Sequence, residues 1–124
     1  MKKQLFALGL AGAVLLAPLS VATAQTSADI VGRYTITKGV NLDGSSYEGK
    51  VVVTPDASGG VTVRWDDGSV GLGMIDNGKL YVGMVFEKKS VIVAMTINPD
   101  KTLSGKWIQR TQAGNGIEVW KKQP

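Results

Sequence analysis

Carboxylates are the only side chains of this sequence that could serve as general acids or bases near neutral pH. The 124 residues include no histidine and no cysteine, and 14 lysine or arginine residues stand against 10 aspartate or glutamate residues. This composition excludes a thiolate nucleophile, an imidazole base and a zinc site of the usual ligand types. It also excludes a disulfide framework, so the fold must be stabilised by packing alone.

The carboxylates do not form a recognisable catalytic pair. Six aspartates lie in turn-like segments, where aspartate is favoured because its side chain hydrogen-bonds the local backbone: Asp43, Asp56, Asp66, Asp67, Asp76 and Asp100. Glu48, Glu87 and Glu118 fall in or at the ends of predicted strands, at positions that we expect to face solvent. A glycosidase needs two carboxylates across a sugar-binding cleft, and no pair here is placed for that chemistry. We therefore predict no catalytic residue and no enzyme activity.

One short segment contains part of a calcium-loop pattern. Asn41-Leu42-Asp43-Gly44-Ser45 lacks a third carboxylate and a closing glutamate at the proper distance, so a β-turn is the preferred interpretation. Ser45-Ser46 has no histidine or lysine at a spacing that would activate a serine nucleophile. The sequence also lacks a phosphate-binding loop and a dinucleotide-binding fingerprint. We predict no metal site and no cofactor.

Aromatic residues are the remaining candidates for ligand binding. Six of them lie in predicted strands: Tyr34, Tyr47, Trp65, Tyr81, Trp107 and Trp120. Pointing inward, they could line a cavity for a small apolar or flat ligand. They could equally fill the core, because a small barrel holds side chains or one small ligand. Filling is the preferred interpretation, and these six stand as the candidate ligand-binding residues.

Eight segments have the pattern of short β-strands. Each is apolar or alternating and is bounded by turn residues: 30–38, 46–54, 61–65, 69–75, 80–86, 91–97, 102–110 and 117–121. No sustained helical stripe follows the leader, so helix beyond a short turn is not expected. Short turns favour pairing of neighbouring strands, and eight strands can close on themselves and remove exposed edges. We predict an all-β fold, a small antiparallel up-and-down barrel of about eight strands, with a β-sandwich as the alternative.

The first 24 residues have the order of a secretory signal peptide. Met1-Lys2-Lys3-Gln4 precedes an apolar run, and Ala22-Thr23-Ala24 fits the cleavage site. An uncleaved membrane anchor is the alternative, and Pro18 and the small residues disfavour it. Cleavage would leave one domain over 25–124 with 12 basic and 10 acidic residues, a net charge of +2. We predict a periplasmic or secreted protein with no stable membrane anchor after cleavage.

The basic residues of the mature chain are scattered, and only Lys88-Lys89 and Lys121-Lys122 are adjacent. Nucleic-acid binding needs a denser basic stripe, ideally with interleaved aromatic residues. We therefore predict no nucleic-acid partner.

The segments 80–86 and 91–97 are apolar on both strand faces. Tyr81, Val85, Ile92 and Ala94 alternate with seven residues that we name as the candidate interface: Leu80, Val82, Met84, Phe86, Val91, Val93 and Met95. A barrel strand buries one face, so the second face should be covered. We predict a protein partner or self-association through strands 80–97. The alternative is that a loop or the segment 25–29 lies across this face.

Three glycines stand between large residues on one strand face, at Gly49, Gly83 and Gly105. A glycine in this position lets a strand bend and makes room for a side chain opposite. We therefore predict that Gly83 and Gly105 face a crowded interior.

Several motifs run through the mature chain in a fixed order: Val31-Gly32-Arg33-Tyr34, Asn41-Leu42-Asp43-Gly44-Ser45-Ser46-Tyr47-Glu48-Gly49, Val63-Arg64-Trp65, Gly71-Leu72-Gly73-Met74, Leu103-Ser104-Gly105-Lys106-Trp107 and Gly114-Asn115-Gly116-Ile117-Glu118. The chain resembles small exported glycine- and aromatic-rich β proteins of proteobacteria, some of which are called fibronectin-binding protein. That resemblance implies adhesion to host matrix, without a residue-level mechanism. Relatives typically continue with a threonine-rich strand after Gly116, where this chain has Ile117-Glu118-Val119-Trp120.

A shorter motif, Gly32-Arg33-Tyr34, resembles the G-x-W opening of lipocalin- and avidin-type barrels. Taken with the composition, these patterns predict an exported, non-enzymatic binding or interaction protein of the cell envelope. One alternative is a carrier that holds a small apolar ligand in a lipocalin-like cavity. Another is a matrix-adhesion module of the fibronectin-binding type or a protein inhibitor.

Overall fold

The chain forms eight strands after one short helical turn. The computed structural model describes residues 26–124, so the signal peptide predicted over 1–24 lies outside the described residues. The elements are α1 (Ser27–Ile30), β1 (Gly32–Val40), β2 (Ser46–Pro55), β3 (Val61–Trp65), β4 (Val70–Asp76), β5 (Lys79–Phe86), β6 (Lys89–Ile97), β7 (Leu103–Gln109) and β8 (Gly116–Lys122). Among residues 26–124, no helix is both long enough and apolar enough to cross a bilayer.

The strands form a closed antiparallel barrel. Each strand pairs with the next along the chain, and β8 pairs back with β1. The β1–β8 register runs from Tyr34 opposite Lys122 to Val40 opposite Ile117. This closure confirms the predicted up-and-down barrel and excludes the sandwich, in which the first and last strands would not complete a ring. Every strand therefore has a partner on both sides.

Tight turns between the strands set the two ends of the barrel. Asn77 and Gly78 take φ values of 53° and 78°, the left-handed geometry that an Asn-Gly hairpin favours. Glu87 and Lys88 take the same conformation, at φ 51° and 67°, without a glycine. A side chain in that region costs about 1–2 kcal/mol, so the strands on either side must impose this turn.

The two ends of the barrel differ in what fills them. The closed end carries α1 and the connections β2–β3, β4–β5 and β6–β7. There the rings of Tyr34 and Trp120 pack with their centroids 5.8 Å apart, and the Tyr34 hydroxyl donates a hydrogen bond of 2.6 Å to the Ile30 carbonyl. Burial raises the pKa of Tyr34 to about 12. The hydrogen bond from Tyr34 holds α1 over this end. The other four connections, β1–β2, β3–β4, β5–β6 and β7–β8, lie at the opposite end, which we call the open end.

The alternation along β5 and β6 places the predicted interface inside the barrel. Leu80, Val82, Val91, Val93 and Met95 are buried in the core, and Met84 and Phe86 are half-buried against it. The assignment of these seven residues to a surface was wrong, because closure turns their strand face inward. The exposed apolar side chains lie on the opposite face of β4–β7, which we call the outer apolar face: Val70, Leu72, Met74, Tyr81, Val85, Ile92 and Ile108.

The same alternation places Gly83 and Gly105 in different surroundings, although the sequence predicts a crowded interior for both. A Cβ atom at Gly105 would clash with the Ala94 carbonyl and lie 2.8 Å from the Met95 Cα. A Cβ atom at Gly83 would meet nothing within 4 Å, because Val82 takes the inward position on β5. The expectation of a crowded interior is confirmed for Gly105 and wrong for Gly83.

Replacing each glycine by valine tests this difference. We expect Gly105→Val to lower the free energy of unfolding by at least about 2 kcal/mol, because the clash is with backbone that cannot move freely. Gly83→Val should change it by less than about 1 kcal/mol, since its side chain enters solvent on a strand. Urea denaturation of both variants measures the effect, and equal losses would contradict the assigned orientations.

Candidate functional site

The open end of the barrel contains a pocket of about 280 Å³, here called the open-end pocket. That volume equals the liquid-phase share of roughly nine water molecules. Apolar and aromatic side chains form most of the wall, and carboxylates stand at the rim and the floor. The lining residues are Ile36, Asn41, Tyr47, Glu48, Trp65, Asp66, Asp67, Met84, Phe86, Val91, Val93, Trp107 and Glu118.

Glu118 on β8 is the polar centre of the floor and is only 7% exposed. Its Oε1 atom accepts hydrogen bonds from Trp65 Nε1 at 3.0 Å and from Trp120 Nε1 at 2.7 Å. Its Oε2 atom accepts a short hydrogen bond from the Tyr47 hydroxyl. A buried carboxylate is tolerated when its oxygens receive such donors, and all three donors here are neutral groups.

The Tyr47 hydroxyl extends this network to β7. It accepts a hydrogen bond of 3.2 Å from Trp107 Nε1, and therefore its own proton is directed at Glu118. Trp65, Trp120 and Tyr47 all donate to Glu118, so its carboxyl group acts only as an acceptor in this network. Burial first, and the hydrogen bond to Glu118 second, raise the pKa of Tyr47 far above its ordinary value of 10.0.

Glycines on neighbouring strands set the positions of two aromatic rings. Trp107 lies opposite Gly116 in the β7–β8 register, and a Cβ atom at Gly116 would overlap the indole ring. Tyr47 lies opposite Gly39 across β1–β2, and a Cβ atom there would be 2.7 Å from the Tyr47 ring. A register irregularity in β1, between Ile36 and Gly39, precedes this pair. Each ring therefore lies against the backbone of a neighbouring strand, and both rings line the open-end pocket.

The structure divides the six predicted aromatic residues into three groups. Tyr47, Trp65 and Trp107 line the open-end pocket. Tyr34 and Trp120 are fully buried in the closed half, and Trp120 reaches the site only through its bond to Glu118. Tyr81 lies on the outer apolar face and is 39% exposed. The barrel is thus filled at one end and hollow at the other, which combines the two interpretations that the sequence left open.

Sequence reasoning missed Glu118 as a member of the site. It was expected to face solvent, whereas it points inward between Gly116 and Trp120 on the buried face of β8. The signal was present, because residues two apart on a strand share a face and Trp120 was already a candidate for the interior. The polar character of glutamate outweighed that periodicity in the prediction.

Four residues assigned to the interface also belong to this site. Met84, Phe86, Val91 and Val93 line the open-end pocket and supply the apolar part of its wall.

Four of the six turn aspartates, Asp43, Asp56, Asp67 and Asp100, accept hydrogen bonds from their local backbone, as the sequence predicts. The Asp43 carboxylate accepts hydrogen bonds from the Ser45 amide at 2.9 Å and from the Ser45 hydroxyl at 2.6 Å, and these bonds lower the pKa of Asp43. Asp56 and Asp100 receive equivalent bonds from Ser58 and Thr102, with the same direction of pKa shift. Within residues 26–124, no three carboxylates converge closely enough to hold a metal ion.

Two substitutions at Glu118 test the network. Glu118→Gln keeps one acceptor oxygen for the two indoles and should lower the free energy of unfolding by about 1–2 kcal/mol. Glu118→Leu leaves three donors without an acceptor and should cost at least about 3 kcal/mol, because each unsatisfied buried group carries its own penalty. Denaturation of both proteins in urea measures the difference. A leucine variant as stable as the glutamine variant would show that the network is not what stabilises this region.

Neither a protein-family model nor any of the curated proteins compared with this chain matches it.

Proposed function

We propose that this protein is an exported, non-enzymatic binding protein of the cell envelope that holds a small ligand in the open-end pocket. The observation that carries the proposal is the hollow half of the barrel, where Tyr47, Trp65 and Trp107 surround a polar floor. Ligand pockets in proteins are concave and mostly apolar, with a few polar groups that fix orientation. The open-end pocket has this composition.

The size of the pocket bounds the ligand. A volume of about 280 Å³ is at the low end of ordinary ligand sites and suits a molecule of roughly ten non-hydrogen atoms. The aromatic wall favours a flat or apolar body over a flexible chain, because stacking on Trp107 and Trp65 needs a rigid face. This supports the small-ligand carrier that was an alternative at the sequence level.

The hydrogen bonding of the floor supports binding over catalysis. Both oxygens of Glu118 already accept bonds, and the Tyr47 hydroxyl is both a donor and an acceptor within the same network. A general acid or base must exchange a proton with the substrate, so its reacting atom has to be accessible. A fixed, satisfied network favours a role in shaping and orienting. Export to the envelope rests on the leader pattern over 1–24.

Binding of 2-phenylethanol, a neutral aromatic probe of nine non-hydrogen atoms, tests the pocket. We expect Trp107→Ala to weaken binding at least tenfold, because it removes one wall of the site. Ile108→Ala changes the next residue, which points outward and is 53% exposed, and should bind like the wild type. Quenching of tryptophan fluorescence and isothermal calorimetry give the affinities, and melting curves show whether each variant is folded.

Native mass spectrometry of protein purified from its own cells provides the second arm of this test. A retained small molecule that Trp107→Ala loses and Ile108→Ala keeps would support the proposal. Equal binding by the two folded variants would refute the assignment of the site, and wild-type protein with no probe binding and no retained molecule would refute the function.

A second candidate function is protein interaction through the outer apolar face. Leu72, Met74 and Ile92 are each more than half exposed, and the face spans four neighbouring strands. Contiguous exposed apolar surface of this kind is typical of interaction sites. Because α1 packs beside β2, residues 26–30 do not cover it. We propose a second copy of this chain as its occupant, since one patch can pair with itself about a two-fold axis.

Light scattering during size-exclusion chromatography tests self-association at high protein concentration. We expect a dimer for the wild type and a monomer for Ile92→Lys, because a charge in the middle of an apolar interface is costly to desolvate. Thr37→Lys adds the same charge on β1, away from the outer apolar face, and should dimerise like the wild type. A wild type that stays monomeric throughout would refute this second function.

A further inference from the structure

The charged side chains that line the open-end pocket all have the same sign. They are Glu48, Asp66, Asp67 and Glu118, and no lysine or arginine is among the lining residues. The chain as a whole has more basic than acidic residues, 14 against 10, so this local acidity runs against its overall charge. A concave site lined by one sign of charge and low-dielectric walls concentrates ligands of the opposite sign.

The floor and the rim contribute differently to this charge. Glu118 is buried and receives hydrogen bonds only from neutral indole and phenol groups, so its charge is not cancelled by a nearby cation among its bonded partners. Asp66 and Asp67 lie in the exposed turn between β3 and β4, where the Asp67 carboxylate accepts a bond of 2.8 Å from the Ser69 amide. The negative field of Asp67 and Glu118 reaches Tyr47, whose pKa it helps to raise.

The aromatic wall adds a second attraction for a cation. Trp107 and Tyr47 lie against glycines and line the pocket, and the π face of an aromatic ring carries negative quadrupole charge. An ammonium group within about 6 Å of such a ring gains roughly 0.5–2 kcal/mol, more when water is excluded. Tryptophan is the strongest of the aromatic residues in this respect, and two tryptophans line the pocket.

We infer that the ligand of the open-end pocket is a small organic cation, an amine or quaternary ammonium compound with an apolar or aromatic body. This inference rests on the proposed binding function and adds the charge of the ligand. Among the described residues the carboxylates do not converge in threes, so they suit a diffuse ammonium charge better than a compact metal ion. The apolar side chains Met84 and Phe86 would contact the body of the ligand.

A matched set of three probes separates the charge of the ligand from its shape. Phenethylamine is a cation at pH 7, 2-phenylethanol is its neutral counterpart, and 3-phenylpropanoate is an anion of similar size. We expect phenethylamine to bind at least tenfold more tightly than 2-phenylethanol, and 3-phenylpropanoate to bind more weakly than either. Raising the salt concentration from 20 to 500 mM should weaken only the binding of phenethylamine, because screening acts on charges.

Charge removal at the rim identifies the source of this preference. Asp66→Asn/Asp67→Asn should lower the affinity for phenethylamine at least fivefold more than it lowers the affinity for 2-phenylethanol. The control Asp56→Asn/Asp76→Asn removes two charges at the closed end and should bind both probes like the wild type. Calorimetry gives all affinities on folded protein.

The outcomes distinguish this inference from the function on which it rests. Equal affinity for the three probes, or a retained anionic compound in protein from its own cells, would overturn the inference and leave the binding function intact. Rim variants that bind phenethylamine as tightly as the wild type would also overturn it. Failure of all three probes, together with no retained molecule, would overturn both.

Discussion

Glu118 is a carboxylate enclosed by a barrel, and burial of a charge is costly unless hydrogen bonds replace its water. The replacement comes from other strands: Trp65 from β3, Tyr47 from β2, and Trp107 from β7 through the Tyr47 hydroxyl. These bonds join positions up to 71 residues apart along the chain. The network therefore depends on closure of the barrel, and the shape of the open-end pocket depends in turn on the network.

The placement of a few aromatic side chains explains why one half of the barrel is filled and the other is hollow. In the closed half, Tyr34 and Trp120 meet ring to ring and fill the interior. Trp65 packs on Trp120 with centroids 6.0 Å apart, yet its Nε1 atom turns toward Glu118. Nearer the open end, the rings of Tyr47 and Trp107 lie against glycines of the neighbouring strands, and the centre of the barrel stays open. The same few aromatic residues therefore determine that one half of the barrel is filled and the other is hollow.

The fold could be predicted from local patterns because a meander uses only local information. Turn residues mark each reversal, and neighbouring strands pair, so the predicted segment 46–54 differs from β2 by one residue. It was harder to predict which face of each strand points into the barrel. Where both faces are apolar, as on β5, the sequence does not distinguish Leu80 inside from Tyr81 outside, and closure alone decides between them.

The site was predicted in part, and the missing part was polar. Three of the six aromatic candidates line the open-end pocket, because an aromatic residue on a strand is a sound guide to an interior position. Glu118 was placed in solvent, since a single sequence does not reveal that Trp65 and Tyr47, on distant strands, join Trp120 in donating to one carboxylate. Long-range hydrogen bonds of this kind have no local signature.

The division of the barrel into a filled and a hollow half separates two kinds of evolutionary constraint. Residues such as Tyr34 and Leu103 must keep their volume for the chain to fold, whereas the exposed rim residues Glu48 and Asp66 can change with little effect on that packing. Homologous chains could therefore retain one architecture while diverging to accommodate unlike compounds. A ligand assigned to such chains from their shared fold alone would then be wrong for some of them. The residues at the open end of the barrel would be the better guide to the ligand.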